Sequence, residues 1–192
     1  MKKFALRSAG LGAMLVCLLP TMQAHAQFWV ASNGGGTTCS RSLPCATFQA
    51  AHDAASAGVE IKCVDAHDYG PVTITKSITI DCTGVGAAVV TSASHGVVIN
   101  LNNGTVRLRG LHVDGKNTGT FGLDVHTSGG QLSIEKCRIS RFSGDAIVIT
   151  ASGLFKLFVS DSVIENNGGP NGGSGMFIQA GPAGRAGRAQ PR

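Results

Sequence analysis

Three segments of alternating apolar and polar residues repeat along the chain at offsets of 26 and 25 residues: Val106-Arg-Leu-Arg-Gly-Leu-His-Val113, Leu132-Ser-Ile-Glu-Lys-Cys-Arg-Ile139 and Leu157-Phe-Val-Ser-Asp-Ser-Val-Ile164. Residues that alternate in this way form strands with one buried face. A second set of short apolar segments interleaves with the first: Gly96–Asn100, Gly122–His126, Ala146–Thr150 and Gly175–Gln179.

The repeat extends from Val72 to Gln179, and Gly, Asn and Ser turns separate its short strands. A fixed period in this range indicates a solenoid. Because no segment within the repeat is long enough for a crossover helix, successive coils of a parallel β-helix are the simplest arrangement. We therefore predict an all-β fold in which each coil pairs only with the coils above and below it.

A helix is predicted just before the first coil. Thr47 suits the N-cap and Gly58 suits the C-terminal stop, so we expect the helix to run from Thr47 to Ala57. Its place in the chain suggests that it caps the open end of the solenoid. His52 and Asp53 fall on its polar side, where we expect a solvated face. Its apolar positions recur at spacings of three and four residues: Phe48, Ala51 and Ala55.

The first residues are typical of an export signal, with Lys2, Lys3 and Arg7 before an apolar run and Ala24-His-Ala26 as the cleavage site. The apolar run has about eleven residues, where a membrane span needs roughly twenty, so we expect no stable membrane anchor. The predicted organisation is a signal peptide at residues 1–26, an N-terminal loop and capping helix at 27–58, and β-helix coils at 59–179. The mature protein is expected to be secreted or periplasmic.

The chain loses its strand pattern after Gln179. Residues 180–192 consist of Ala, Gly, Pro, Arg and Gln, without alternation and without an apolar cap. This composition favours a disordered tail. Since the last coil would then expose its edge, we expect the tail to mark a truncated or frame-shifted form of a longer protein.

Export changes the meaning of the cysteines, because disulfides persist in oxidising compartments. Cys39 and Cys45 lie six residues apart in a loop, while Cys63 and Cys82 lie nineteen residues apart at strand positions, as vertical neighbours would. Four cysteines allow three pairings, and all three remain open at this point. Cys137 lies among apolar strand residues, so a buried and inert thiol is expected.

Several N-terminal segments resemble those of right-handed parallel β-helix proteins of the pectin-lyase-like superfamily. The resemblance covers Phe28 to Gln179 and is strongest with small exported bacterial members of unassigned activity. It implies a right-handed coil stack with three short sheets, in a superfamily that contains polysaccharide lyases, glycoside hydrolases, adhesins and phage spikes. Fold does not choose among these activities. The segments that carry it are Thr47-Phe-Gln-Ala-Ala, Ala57-Gly-Val-Glu-Ile61, Asp68-Tyr-Gly70 and Val72-Thr-Ile-Thr-Lys-Ser-Ile-Thr-Ile80.

The formal charge of +5 arises at the ends of the chain. Residues 1–26 and 180–192 hold six of the 16 basic residues, which leaves 10 basic against 11 acidic residues in the predicted fold. A nucleic-acid binder needs a basic face with stacking aromatics, so a nucleic-acid partner is not expected. One period places Arg109 over Glu135 and Lys136 over Asp161, as solvated ladder pairs worth a few tenths of a kcal/mol each.

Catalytic carboxylates in a β-helix would lie two apart on one strand or one period apart in a column, and no pair of acids meets this test. Asp114 faces Ser140 one coil on, Asp124 faces an apolar or turn position, and Asp81 stacks near Arg109. The catalytic residues are therefore unknown.

The histidines give no stronger sign of a reaction or a metal. His95 is expected to begin a strand after a turn, and His112 and His126 have no second ligand at metal spacing. We predict no metal site and no cofactor.

The densest polar group is a loop after the first coil, which could bind a cation or a sugar. Its two carboxylates, imidazole and phenol are our predicted ligand-binding residues: Asp65, His67, Asp68 and Tyr69. We predict an exported β-helix scaffold without an evident catalytic site, which either binds polysaccharide or cell-surface glycan through a regular lateral face or is simply a secreted structural protein. The alternative is a polysaccharide lyase or glycoside hydrolase whose catalytic coils lie outside this chain.

Overall fold

The chain folds as a parallel β-solenoid of about four turns in three sheets. The structure is a computed structural model that describes residues 26–92, 94–169 and 172–180. All neighbouring strands in the three sheets run parallel. The predicted parallel β-helix is thus confirmed as a parallel β-solenoid.

The first two strands of the chain both belong to sheet A and the third belongs to sheet C. From the fourth strand onward the chain visits sheets A, B and C in turn, so strands that are neighbours in a sheet lie one coil apart in sequence. In sheet order, A consists of β1 (Gln27–Val30), β2 (Glu60–Cys63), β4 (Ile78–Asp81), β7 (Gly104–Arg109), β10 (Gly130–Glu135) and β13 (Phe155–Ser160). Sheet B consists of β5 (Ala87–Val90), β8 (Leu111–Asp114), β11 (Arg138–Ser140) and β14 (Val163–Glu165). Sheet C consists of β3 (Val72–Ile74), β6 (Val97–Leu101), β9 (Leu123–Thr127), β12 (Ile147–Ala151) and β15 (Met176–Ala180).

The register is the one that the sequence repeat predicts. Leu132 pairs with Val106 on one side and with Leu157 on the other, at the offsets of 26 and 25 residues. In sheet C, Leu123 pairs with Val97 and Ile147. The interleaved set of segments is therefore confirmed as a sheet of its own.

Apolar side chains stack in columns inside the solenoid. Full burial of each Val, Leu or Ile side chain contributes roughly 1.5–3 kcal/mol, so these columns supply most of the stabilisation. In the last coil the members of two columns are no longer buried: Val159 is 41% exposed and Ile178 is 53% exposed. The buried members of these two columns are Ile61, Ile80, Leu108 and Ile134 in sheet A, and Ile74, Ile99, Val125 and Ile149 in sheet C.

The corner between sheets A and B repeats one backbone conformation on three successive coils. Gly110, Lys136 and Asp161 have φ angles of 64°, 53° and 49°, in the left-handed region. A Cβ at Gly110 would lie 2.6 Å from the backbone nitrogen of Thr83, so glycine is needed there for space as well as for conformation.

The predicted helix is present as α1, Phe48–Ala54, and Thr47 caps it by accepting a hydrogen bond from the Ala50 amide at 3.1 Å. It lies against β1, β2 and β3. The helix ends before the predicted Ala57, because Ala55 is extended and Lys76 Nζ binds the carbonyl oxygens of His52 and Ala55 at 2.9 and 2.8 Å.

The prediction of a solvated His52 is wrong, although Asp53 is exposed as expected. His52 is 2% exposed, and its Nε2 accepts a hydrogen bond from the Thr75 amide at 3.1 Å. The reason is that α1 packs against β3, which places the His52 side of the helix next to the end of that strand. A second difference is β1, a strand of sheet A within the segment predicted as loop and helix.

Two disulfides join the first turns of the chain, Cys39–Cys45 and Cys63–Cys82, with Cα–Cα distances of 4.7 and 5.0 Å. Cys63 and Cys82 directly follow the paired residues Lys62 and Asp81, so they are vertical neighbours in sheet A as predicted. Among the described residues, Cys137 is the free cysteine, and it is buried. The structure thus selects one of the three possible pairings.

The predicted signal peptide at residues 1–26 lies outside the described residues except for Ala26. The predicted tail at residues 180–192 lies outside them except for Ala180.

Candidate functional site

The predicted ligand-binding loop lies between β2 and β3, and Asp65 is bound within the protein. Its carboxylate accepts hydrogen bonds from the Ser32 amide at 3.0 and 3.3 Å, and from the hydroxyls of Ser32 and Tyr69. The bonds from Ser32, followed by the bond from Tyr69, hold the pKa of Asp65 below its ordinary value. Burial, followed by the hydrogen bond to Asp65, raises the pKa of Tyr69.

The other three residues of this loop also make contacts within the protein. Asp68 Oδ1 accepts the amides of Gly70 and Val90, each at 3.0 Å, which ties the loop to β5. The Tyr69 ring is fully buried. The exposed His67 ring packs against it in a T-shaped arrangement, with 5.4 Å between the ring centroids. These bonds give both carboxylates a structural role, and the binding of a ligand by this loop stays a prediction.

A different cluster lies on sheet C, where Asp124 joins two histidines. His95 Nδ1 lies 2.8 Å from Asp124 Oδ2, and His126 Nε2 lies 3.0 Å from Asp124 Oδ1. The Asp124 side chain is 10% exposed, whereas those of His95 and His126 are 31% and 51% exposed. The Phe121 ring packs against His95 at 5.1 Å between centroids. The cluster therefore presents two accessible imidazoles that one nearly buried carboxylate orients.

The strand positions predicted for Asp124 and His126 are confirmed, but the repeat does not indicate that Asp124 meets the two histidines. Asp124 does pair with the apolar residues Val98 and Val148, as predicted. Two signals could have found the cluster. Asp124 and His126 are two apart on one strand and so share a face, and His95 lies one coil before Phe121, at the start of the neighbouring strand.

Polar side chains extend this face along the solenoid in three columns. One column lies at exposed positions of sheet C and includes His126; its other members are Asn100, Thr150 and Gln179. The second column follows the ends of three strands of sheet C: Asn102, Ser128 and Ser152. The third column lies near the start of three strands of sheet A: Thr105, Gln131 and Lys156. Neighbouring members of a column are separated by about 4.8 Å, the spacing of paired strands.

A shallow groove of about 290 Å³ follows the corner between sheets C and A. Gly104 and Gly130 line it without side chains, and Asn103, Gln131 and Lys156 contribute its polar groups. Leu154, which is 79% exposed, adds an apolar surface. All three members of the third polar column line this groove.

Charged residues on sheet A form ladder pairs instead. Arg109 donates to Asp81 at 3.0 Å and to Glu135 at 3.1 Å, so the predicted stacking of these three residues is confirmed. Burial alone would raise the pKa of Asp81, but hydrogen bonds from Thr83 and the charge of Arg109 hold it below its ordinary value. Lys136 and Asp161 occupy equivalent corner positions, but they form no ion pair within the described part of the chain.

Sheet B carries two further charged pairs. Asp114 faces Ser140 as predicted, and it also binds Arg141, which the repeat offset did not indicate. Arg138 pairs with Glu165 on the next strand. In these two contacts, each arginine is paired with a carboxylate of the protein.

Cys137 is 4% exposed, as predicted, and burial raises the pKa of its thiol. Its Sγ lies 3.4 Å from the carbonyl oxygen of Leu108 and 3.3 Å from that of Glu135. A protonated thiol that donates to backbone carbonyls is a poor nucleophile, which agrees with the inert thiol that was expected.

Within residues 26–92, 94–169 and 172–180, no group of three His, Cys, Asp or Glu side chains has the arrangement to hold a metal ion. No helix in this part of the chain has the length and apolar composition needed to cross a membrane. Comparison with known proteins adds no family: no protein-family model, no curated protein and no solved structure matches the chain significantly.

Proposed function

We propose that this protein is an exported, non-catalytic β-helix that binds polysaccharide or cell-surface glycan on the outer face of sheet C and the groove beside it. One observation carries the proposal: exposed amide, hydroxyl and imidazole side chains form in-register columns next to a groove. The central column contains Asn100, His126, Thr150 and Gln179. We name this surface, with the groove and its polar columns, the sheet C face.

The chemistry of the sheet C face suits a ligand rich in hydroxyl groups. A sugar hydroxyl both donates and accepts hydrogen bonds, and so do the amides of Asn100 and Gln131 and the hydroxyl of Thr150. The columns repeat these groups at about 4.8 Å, so an extended chain can meet similar partners on successive coils.

Apolar contacts complete such a site. Ligand sites combine a few placed polar groups with apolar and aromatic surface. Phe177, which is 48% exposed, occupies the outer position on β15 two strands from Asp124, and Leu154 borders the groove. These side chains can pack against the carbon-bound hydrogens of a sugar ring.

Two features support export to a secreted or periplasmic location. Disulfides such as Cys39–Cys45 and Cys63–Cys82 persist in oxidising compartments. The segment before Gln27 has the basic, apolar and small-residue order of a cleaved signal. We also propose that the solenoid is right-handed, as in the pectin-lyase-like superfamily, and that α1 caps its N-terminal end.

The proposal is tested by binding of the purified protein to a panel of soluble polysaccharides, measured by calorimetry. Thr150→Ala removes one hydroxyl from the sheet C face, and we expect it to weaken binding about two- to tenfold, the loss of one hydrogen bond. Thr79→Ala, at a half-buried position of sheet A, is the matched control and should leave the affinity unchanged. Equal effects of the two substitutions, or no binding to any polysaccharide, would contradict the proposal.

The enzymatic alternative, a polysaccharide lyase or glycoside hydrolase, is tested on the same panel. Lyase activity would appear as absorbance of an unsaturated product, and hydrolase activity as new reducing ends. Either product, formed by protein free of contaminating enzymes, would replace the binding proposal with the catalytic one.

A further inference from the structure

We infer that the ligand of the sheet C face is a neutral polysaccharide and not a polyuronate. This inference rests on the proposed function and adds the charge class of the ligand. It follows from where the described part of the chain places its cations and carboxylates.

Recognition of a carboxylate on each sugar requires cationic donors, and arginine is the side chain best suited to a planar carboxylate. None of the arginines in residues 26–92, 94–169 and 172–180 lies on sheet C. Arg41 lies in the N-terminal loop, over the Trp29 ring at 4.9 Å. The others lie on sheets A and B or directly after a strand of sheet B: Arg107, Arg109, Arg138 and Arg141.

Three of these arginines are also engaged by acidic side chains of the protein. Arg109 lies between Asp81 and Glu135, Arg138 pairs with Glu165, and Arg141 pairs with Asp114. Their charges are therefore balanced locally, and a polyuronate would have to displace a carboxylate that is already in place.

Lysines add little positive charge to the sheet C face. Lys76 lies at the same corner one coil before the groove, but its Nζ binds the carbonyl oxygens of His52 and Ala55 in and after α1. Lys156 is the one lysine among the groove residues. A single cation cannot match a polymer that carries a carboxylate on every sugar.

The acidic groups of this face would oppose a polyuronate. Asp124 lies at its centre, and Asp145, just before β12, accepts the amide of Ser174 through its carboxylate. Like charges at short distance repel. By contrast, the polar columns are uncharged except for Lys156 and the histidine, and they offer both donors and acceptors to neutral hydroxyl groups.

The test compares neutral glucans, xylans and mannans with polygalacturonate and alginate at 0.05 and 1 M salt, since salt screens exposed charges. We expect the neutral polymers to bind more tightly, with an affinity that changes less than about twofold over this range. Preferential or equal binding of the polyuronates would overturn the inference and leave the proposed function standing. Binding to neither class would remove the proposed function itself.

Two substitutions at one position give an independent readout. Gln131→Lys and Gln131→Glu place opposite charges in the groove, and both remove the amide. If the ligand is neutral, we expect both to weaken binding by a similar factor, about threefold or more, for the loss of a hydrogen bond. Tighter binding by Gln131→Lys together with weaker binding by Gln131→Glu would identify an anionic ligand and overturn the inference.

Discussion

Arg141 donates Nε and Nη2 to the two carboxylate oxygens of Asp114, with 2.9 Å between Nε and Oδ1. Asp114 is 5% exposed and also accepts the amide of Lys116 at 2.9 Å. Burial alone raises the pKa of Asp114, but the hydrogen bonds and charge of Arg141 hold it below its ordinary value. The pair fixes the corner after β11 to the end of β8.

Arg141→Ala should lower the free energy of unfolding by more than Arg138→Ala does, because it leaves a buried carboxylate without its charged partner. Arg138→Ala is the matched control. The Arg138 side chain is 57% exposed and that of Glu165 is 36% exposed, so the loss there should stay below about 1 kcal/mol. Urea unfolding at neutral pH measures both values, and a control that costs as much as Arg141→Ala would argue against this ranking.

Acid should destabilise the protein partly through Asp114. Its folded-state pKa lies below the unfolded value of about 3.9. Its contribution is therefore present above that pH and is lost as the pH falls through the folded-state pKa. Asp65 and Asp81 act in the same direction, since the pKa of each is also lowered.

The urea concentration at the unfolding midpoint of the wild type should therefore decrease once the pH is lowered below about 4. The difference between wild type and Asp114→Asn should be largest at neutral pH and should shrink in acid. A difference that grows as the pH falls would contradict the sign of this prediction.

The two disulfides should contribute unequally to stability. They close loops with sequence separations of 19 and 6 residues, for which chain entropy predicts about 3 kcal/mol for Cys63–Cys82 and about 2 kcal/mol for Cys39–Cys45. Paired Cys→Ala substitutions, compared by urea unfolding, measure each contribution. If loss of the shorter loop costs more, local packing and not chain entropy dominates.

Gly110→Ala tests the corner between sheets A and B. The substitution forces a side chain into the left-handed region and against the Thr83 backbone at 2.6 Å. Gly58→Ala is the control, because Gly58 has a φ of 84° with open space around it. Overpacking costs typically 1–3 kcal/mol, so thermal or urea unfolding should place Gly110→Ala at least about 1 kcal/mol below the control. Equal losses would mean that the corner can move aside.

The sequence predicted the strands and their pairing because one apolar pattern recurs with each coil. Val106, Leu132 and Leu157 occupy equivalent places, and that equivalence determines the register. The burial of His52 could not be predicted in this way, since it depends on how α1 packs against β3. The strand β1 was also missed, because the segment Gln27–Val30 precedes the repeat and has no equivalent at the repeat's period.

The sheet C cluster was missed for a related reason. A repeat relates residues at the same position in successive coils. Asp124 pairs with Val98 in the sheet, so its contact with His95 joins two residues at different positions of their coils. Column positions predicted the contact of Arg109 with Glu135. They place His95 beside the strand that carries Asp124, but they do not specify the contact between these two residues, which depends on side-chain direction.

Coil length varies more than strand position in this solenoid. Val97 follows its partner Val72 by 25 residues, whereas Met176 follows its partner Ile147 by 29. The corners absorb this difference while the strands remain paired, so insertions at a corner leave the core columns intact. A single-residue insertion within a strand would instead turn its apolar face outward. The natural unit of change in this architecture is therefore the corner loop or the whole coil, and new binding surfaces can arise at the corners without a new core.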